Sequence, residues 1–467
     1  MTTGSASVRI GTKVQGLAAF AVGARWEDVS HAAAAALKAR VLDALGCGLG
    51  ALSAPPVRTV RRLTASLGGE PSATLIGGGK TAPDRAAFFN GAAIRYLDFN
   101  DAYLAPYETC HPSDNVAPLL AAAEYAHASG SDFLTALAVA YQVQCRLSDV
   151  APVRAKGFDH TVQGVYSSAA GAARAMGLPR TEAAHAIAIA GTGNNALRVT
   201  RTGELSNWKG LAFPHAAMNA VHAALLARWG ITGPLEVFEG NKGLEDAITG
   251  PFTIDWAHED LSRVTQTITK RFNAEIHAQS AIEALLTLRR QTGLPASALE
   301  AIELDTFQVA FQIIGGGEEG GKKLVRTKEE ADHSLPYMLA AAYLDGELTP
   351  AQYRDERIAQ GDVQDLLQRV DVRPDPAYSA RFPQEMACQV TLRARDGRSF
   401  TIEQRDYEGF TTRPVTWEQT VRKFRALARG VDPDLAQRII DAVSRLEDLW
   451  ITDLTSLLAE VRIPEEE

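Results

Sequence analysis

QVTLRARDGRSFTIEQ, residues 389–404, is the stretch that decides the fold class. Apolar and polar residues alternate on both sides of Asp396-Gly397, and an Asp-Gly pair between two alternating runs is a strong local signal for a β-hairpin. Its setting makes it decisive. From about Trp26 to about Gly230 the chain reads as helix: His31–Leu52, Val116–Ala128, Asp132–Cys145 and Glu182–Ala190 are rich in Ala and Leu, with apolar residues at helical spacing. Ser131 and Thr181 are expected N-caps, and Gly157 and Gly177-Leu178-Pro179 fall between helices. After Lys270 the texture changes. Ala301–Phe311 reads as a strand alongside Gln389–Arg395, with helix expected over Asp332–Asp345. Helix then returns, opened by the capping box Thr416-x-x-Gln419 and carrying Leu427, Leu435, Ile439, Ile440 and Leu446. The expected fold is mostly α with an inserted α+β domain. Residues 1–270 begin a large helical domain, 271–412 form the smaller α+β insert, and the helices of 413–467 return to complete the first domain. No repeat of solenoid length is visible, and no low-complexity tail beyond Pro464–Glu467.

Bulk composition narrows the function. At 467 residues two domains are the natural expectation, and 46% hydrophobic with 22% charged residues describes a globular protein. A net charge of -9 argues against a nucleic-acid partner but permits a local cationic pocket for a small anion. Cys47, Cys110, Cys145 and Cys388 are scattered without a CxxC, which points to a reducing compartment and away from a disulfide framework or an iron–sulfur cluster. MTTGSASVRIGTK lacks the apolar core of a signal peptide, and no apolar run approaches a membrane span. The expected location is cytoplasmic, with no membrane partner.

Chemistry is densest in RYLDFNDAYLAPYETCHPSDN, residues 95–115. It holds Asp98, Asp101 and Asp114, the pair His111-Pro112, and hydroxyls at Tyr103, Thr109 and Ser113. Carboxylates beside imidazole can orient, deliver and remove protons. The plainer alternative is a solvated loop with an N-cap at Ser113 or Asp114. Similar chemistry recurs in KGFDHTVQG (156–164, with His160), RVTRTGELSNWKG (198–210, with Arg198, Arg201 and Lys209), KRFNAEIHAQS (270–280, with His277) and ADHSLPYM (331–338, with His333 and Tyr337). His215 and His222, seven apart, can share a helix face. Each patch alone is weak, because a lone His is more often a structural residue than a catalyst. Two glycine runs invite a nucleotide reading that fails. Gly316–Lys323 has Lys323 where a phosphate loop needs Ser or Thr, and in the run ending Gly79-Lys80-Thr81 the first glycine is replaced by Thr74. No metal-ligand spacing is present.

Taken in order, DALGCGLGAL (43–52), LDFND (97–101), HPSDN (111–115), GELSNWKG (203–210), AEIHAQSAIEA (274–284) and DHSLPYM (332–338) resemble the blocks of the MmgE/PrpD family, over nearly the whole chain. That family includes 2-methylcitrate dehydratases and cis-aconitate decarboxylases, and HPSDN and RTGELSxWKG are more similar to the dehydratase branch. The resemblance implies a helical domain with an α+β lid, a site between them that needs no metal or organic cofactor, and a homodimer. It places the site at Asp98, His111, His160, Lys209 and His277, with Tyr337. The implied reaction removes water from a small tricarboxylate. His111 and His160 form the acid/base pair in an order left open, and Asp98 orients an imidazole. Lys209, His277 and Arg201 hold carboxylates, while Arg198, Asp101 and Ser113 complete the expected contacts. Ala102 departs from the Thr that relatives often carry after the LDFND block. Decarboxylation of cis-aconitate is the alternative reaction, and non-catalytic polycarboxylate binding the alternative of another class.

Overall fold

The computed structural model of the chain describes residues 11–462. Most of the N-terminal stretch read for a leader, and Pro464–Glu467, lie outside the described residues. From Lys13–Gly23 to Trp208–Arg228 the chain is predominantly helical, as its periodicity predicts. Small residues let these helices approach closely. In the His31–Ala51 helix, a Cβ on Gly46 would lie 3.2 Å from Phe424 Cα and 3.2 Å from Phe424 Cδ2, so this crossing is built for glycine. Phe424 belongs to Trp417–Leu427, which therefore packs on a helix almost 400 positions earlier in the sequence. The capping box is as read, with Thr416 Oγ1 accepting from Gln419 N at 3.3 Å and Gln419 Oε1 accepting from Thr416 N at 2.7 Å. Buried side chains of Pro433–Ser444 and Ile451–Glu460 join the same apolar cluster as Leu37, Leu45 and Phe89.

A second apolar cluster runs from Ile268 to Phe410, joined from earlier in the chain by buried Ala102 and partly buried Leu104. At its centre is a four-stranded sheet in the order Val370–Pro374, Leu299–Thr306, Cys388–Ala394, Ser399–Gln404. The first pair is parallel and the others antiparallel, with Ile302 opposite Val370 and Val390 opposite Ile402. The hairpin turns one residue earlier than a two-residue Asp-Gly loop would. Gly397 N donates to Ala394 O and Ala394 N to Arg398 O, with Gly397 in the left-handed region at φ 88°.

Three sequence expectations need adjustment. Strand does not run from Ala301 to Phe311: it ends at Thr306, because Phe307 turns inward to stack on Phe382 at 4.7 Å and the chain then coils through Gln308–Gly315. The cap of Gly130–Val150 is Ser129, whose Oγ accepts from Asp132 N, so Ser131 lies inside the helix. Thr181 is likewise inside Arg180–Gly193, which begins after Pro179.

Candidate active site

The stretch 95–115 is a scaffold for one aspartate and one histidine. The helix Pro83–Tyr96 ends, and Asp98 takes φ 53°, a conformation non-glycine residues seldom adopt, although Asp is among the more tolerant. Lys270 fastens that turn, donating to Asp98 O at 2.7 Å and to Oδ1 at 2.6 Å. A short hairpin, Tyr103–Leu104 with Thr109–Cys110, then delivers His111 to the 3₁₀ turn Pro112–Asn115. Ala102 is buried, and its backbone pairs with Ile268, tying this stretch to the segment that supplies Lys270. Asp101 and Ser113 hold the turn together. Asp101 Oδ1 accepts from Ser113 N at 3.0 Å and Oδ2 from Tyr141 Oη at 2.8 Å, while Ser113 Oγ accepts from Asn100 Nδ2 at 3.0 Å. Neither Ser113 nor Asp114 caps the helix Val116–Tyr125, which begins after Asn115.

His111 and His160 face one another, with ring centroids 5.4 Å apart and planes at 75°. His111 Nδ1 lies 2.8 Å from the Asp101 carbonyl, which can only accept, so Nδ1 carries the proton and Nε2 a lone pair. His160, just before Thr161–Ala175, has Nδ1 3.3 Å from Asp159 Oδ1 and a buried Nε2 without a partner. Burial, reinforced by the charges of Arg95 and Lys270, holds His111 well below the ordinary imidazole range. Burial likewise takes His160 down to about 3, outweighing Asp159. Both rings are therefore neutral near pH 7.

Around them lies a buried lattice of cations and carboxylates. Lys209 Nζ is 2.6 Å from Asp332 Oδ1 and 3.2 Å from Asp98 Oδ2. Lys328 is 2.6 Å from Asp332 Oδ2, and Arg95 is 2.5 Å from Asp98 Oδ1. Burial alone would raise Asp98, yet Arg95, Lys270 and Lys209 together hold it well below the usual carboxylate range. Asp98 thus grips cations rather than His111 or His160; the imidazole nearest to it is His333, at 3.9 Å. The orienting role expected of it passes to Asp159 and the Asp101 carbonyl. Asp98, Asp332 and His333 come within 4.8 Å of one another, close enough to share a metal ion. Their carboxylates, however, already surround the Lys209 ammonium, whose charge takes the place of such an ion.

His277 is held by Glu275, with Nδ1 2.8 Å from Oε1, and its ring packs against Phe307 and Phe382. Its Nε2 is buried without a partner. Arg201 donates through Nε to Asp159 Oδ2 at 2.8 Å and through Nη1 to the Lys209 carbonyl at 3.0 Å, which leaves Nη2 buried and unpartnered. Arg198 turns to Glu319 at 2.6 Å. Tyr337 is buried and donates its hydroxyl to the Gln352 carbonyl, turned toward Tyr353 rather than the imidazole pair. His215 packs against Trp208 and Phe88, and His222 is exposed beside Asp84, so these two belong to another face. Sequence reasoning left Lys270, Asp332, Glu275 and Asp159 without roles. Each lies within a quoted patch, but only the fold reveals which patches meet. Beside Lys328 a cavity of about 700 Å³ is bordered by Tyr96, Asn207, Asn273 and Tyr353, and the Asn273 Oδ1 and Tyr353 hydroxyl are buried without partners.

Comparison with known proteins identifies what the chain is similar to. The MmgE/PrpD N-terminal domain matches residues 15–257, and the MmgE/PrpD C-terminal domain residues 272–448. The 2-methylcitrate dehydratase of Salmonella typhimurium is 30% identical over 455 residues, covering 89% of this chain and 91% of the relative. That of Escherichia coli K12 is 30% identical over 468 residues, with the same coverage. The cis-aconitate decarboxylase of Mus musculus is 26% identical over 433 residues, covering 88% of this chain and 86% of the relative.

Proposed function

Because the chain belongs to the MmgE/PrpD family, we propose that its buried imidazole pair and lysine lattice remove water from a small tricarboxylate of the 2-methylcitrate type. The observation that carries this reading is the pairing of His111 and His160, with Arg95 and Lys270 close enough for their charges to act on His111. Dehydration must take a proton from a carbon next to a carboxylate and expel hydroxide, a poor leaving group. His111, with its Nε2 lone pair fixed by the Asp101 carbonyl, is the base. His160, with Asp159 at its Nδ1, is the better imidazolium and the acid that protonates the departing hydroxide. The trianion makes this possible. Its negative charge, entering a pocket where cations and burial keep both rings neutral, raises their proton affinity.

Lys209 and Lys270 each donate two of three ammonium hydrogens to the protein, and the third of each is available to a substrate carboxylate. Arg201 Nη2 and His277 Nε2 are further unpaired contacts for the tricarboxylate. As base and acid act, the lysine charges stabilise the carbanion that develops beside that carboxylate. Asp98 holds the lysines in place. Residues 271–412 act as the lid over this site, a role supported by their separate apolar cluster and by the return of the C-terminal helices to the first one. The cavity beside Lys328 borders the lattice through the Lys328–Asp332 pair, which supports it as the way in. Homodimer formation belongs to the same reading, and light scattering on the purified chain checks it.

Cis-aconitate decarboxylation needs a proton donor but no base, and relatives with that name are somewhat less similar. A turnover screen with 2-methylcitrate, citrate and cis-aconitate, without added metal, separates the two. Alkene absorbance from 2-methylcitrate without carbon dioxide supports dehydration. Carbon dioxide from cis-aconitate, with no alkene from 2-methylcitrate, overturns it.

A further inference from the structure

The glycine-rich run 315–321, dismissed as a phosphate loop, has another use. Its two glutamates meet opposite fates: Glu318 is exposed, and Glu319 is 4% exposed. The loop folds on itself, with Gly317 N donating to Phe311 O and Glu319 N to Gln312 O, which turns Glu319 inward. Glu319 Oε1 accepts from Arg198 Nη2 at 2.6 Å and Nε at 3.2 Å. Arg198 Nη1 lies 3.9 Å from Asp159 Oδ2, and Asp159 Oδ1 lies 3.3 Å from His160 Nδ1. These contacts form one largely buried line from a loop of the second apolar cluster to an imidazole of the first.

We propose that Glu319 is a positioning residue for His160. From the docked loop it holds the Arg198 guanidinium away from full pairing with Asp159, so that Asp159 keeps one carboxylate oxygen for the His160 Nδ1–H. The inference rests on the acid/base reading of His160 given above. Asp159 has two oxygens and three side chains to serve. Arg201 takes Oδ2 at 2.8 Å, so Arg198, if released, competes with His160 for what remains. A planar guanidinium prefers to engage both oxygens of a carboxylate, which makes it a strong competitor. Glu319 prevents that exchange only while the loop is seated, so seating of the second cluster and orientation of His160 are coupled.

The test compares Glu319→Gln and Glu319→Asp in the full chain, with two readouts. Steady-state kinetics use whichever tricarboxylate the wild type turns over, and ring nitrogen signals of ¹⁵N-histidine-labelled protein report on His160 directly. Glu319→Gln is expected to lower kcat about 10-fold or more while KM stays within about threefold, and to shift the His160 ring signals. Glu319→Asp, which keeps the charge, is expected to recover most of kcat. If Glu319→Gln does not fold, Arg198→Lys serves instead with the opposite expectation: a lysine ammonium cannot engage both Asp159 oxygens, so kcat and the His160 ring signals stay near wild type, and an about 10-fold loss of kcat with shifted signals would overturn the inference. In Glu319→Gln, a raised KM with unchanged kcat would assign Arg198 to substrate and overturn the inference, as would unshifted His160 signals. If the wild type turns over no tricarboxylate, the dehydratase reading falls, and the ring signals alone decide whether Glu319 positions His160.

Discussion

At the scale of single residues, the site is organised by charges that cannot be removed singly without consequence. Lys209 stands between Asp332 and Asp98, all three buried, so truncating it removes one cation from a lattice that keeps Arg95, Lys270 and Lys328. Lys209→Ala is expected to raise KM for the tricarboxylate at least about 10-fold, to lower kcat as well, and to lower stability by about 1–3 kcal/mol. Kinetics together with thermal or denaturant unfolding check both effects; an unchanged KM would remove Lys209 from substrate binding. Asp98 shows how a residue can be found by sequence while its partner is mistaken. The acid in LDFND is legible as chemistry, but its left-handed backbone and its grip on Lys270, 172 positions away, exist only in the fold. His111 and His160 were legible for the opposite reason: their orienting groups, Asp101 and Asp159, lie close by in the chain.

At the scale of elements, close crossings of small residues decide how the chain closes. Phe424 is buried against Gly46, and their contact joins the helix Trp417–Leu427 to the His31–Ala51 helix. Gly46→Leu forces a branched side chain into that contact and is expected to cost about 1–3 kcal/mol, and Phe424→Ala about 3–5 kcal/mol. Denaturant unfolding of both variants checks this; near-wild-type stability would mean that the crossing carries little of the fold. The hairpin through Asp396-Gly397 and the capping box at Thr416 were legible because each is a local pattern with its own chemistry. Val370–Pro374 was not. Five residues ending in Pro give little period-two signal, and its parallel partner, Leu299–Thr306, lies about 70 positions upstream, so no local turn betrays the pairing.

At the scale of the whole molecule, the buried titratable network makes stability depend on pH with a definite sign. The unfolded chain protonates its histidines near 6.5, whereas burial delays His160 to about 3 and His333 to about 4 in the folded state. The unfolded state therefore binds more protons below about 6.5, and stability falls as pH drops from there toward about 3. Glu275 adds to the loss with the same sign. Burial would raise it, but the His277 partner holds it at about 2, below its ordinary 4.5, so its contribution is present above 4.5 and is lost as pH falls through about 2. Asp114 opposes them, since burial raises it to about 7 and its contribution grows as pH falls below that. The lowered imidazoles of His111, His160 and His333 outnumber it, so Tm is expected to fall from pH 7 to pH 4, and a flat profile over that range would contradict the neutral, buried state of these imidazoles. In the proposed mechanism the same neutrality has a consequence: the charge of a tricarboxylate is needed before either ring holds a proton.

The most direct test of that account is kcat and KM for His111→Ala on 2-methylcitrate, with folding confirmed by circular dichroism. If His111 takes the proton, kcat falls about 100-fold or more while KM stays near that of the wild type. A folded variant with near-wild-type kcat would contradict the account and return His111 to a structural role.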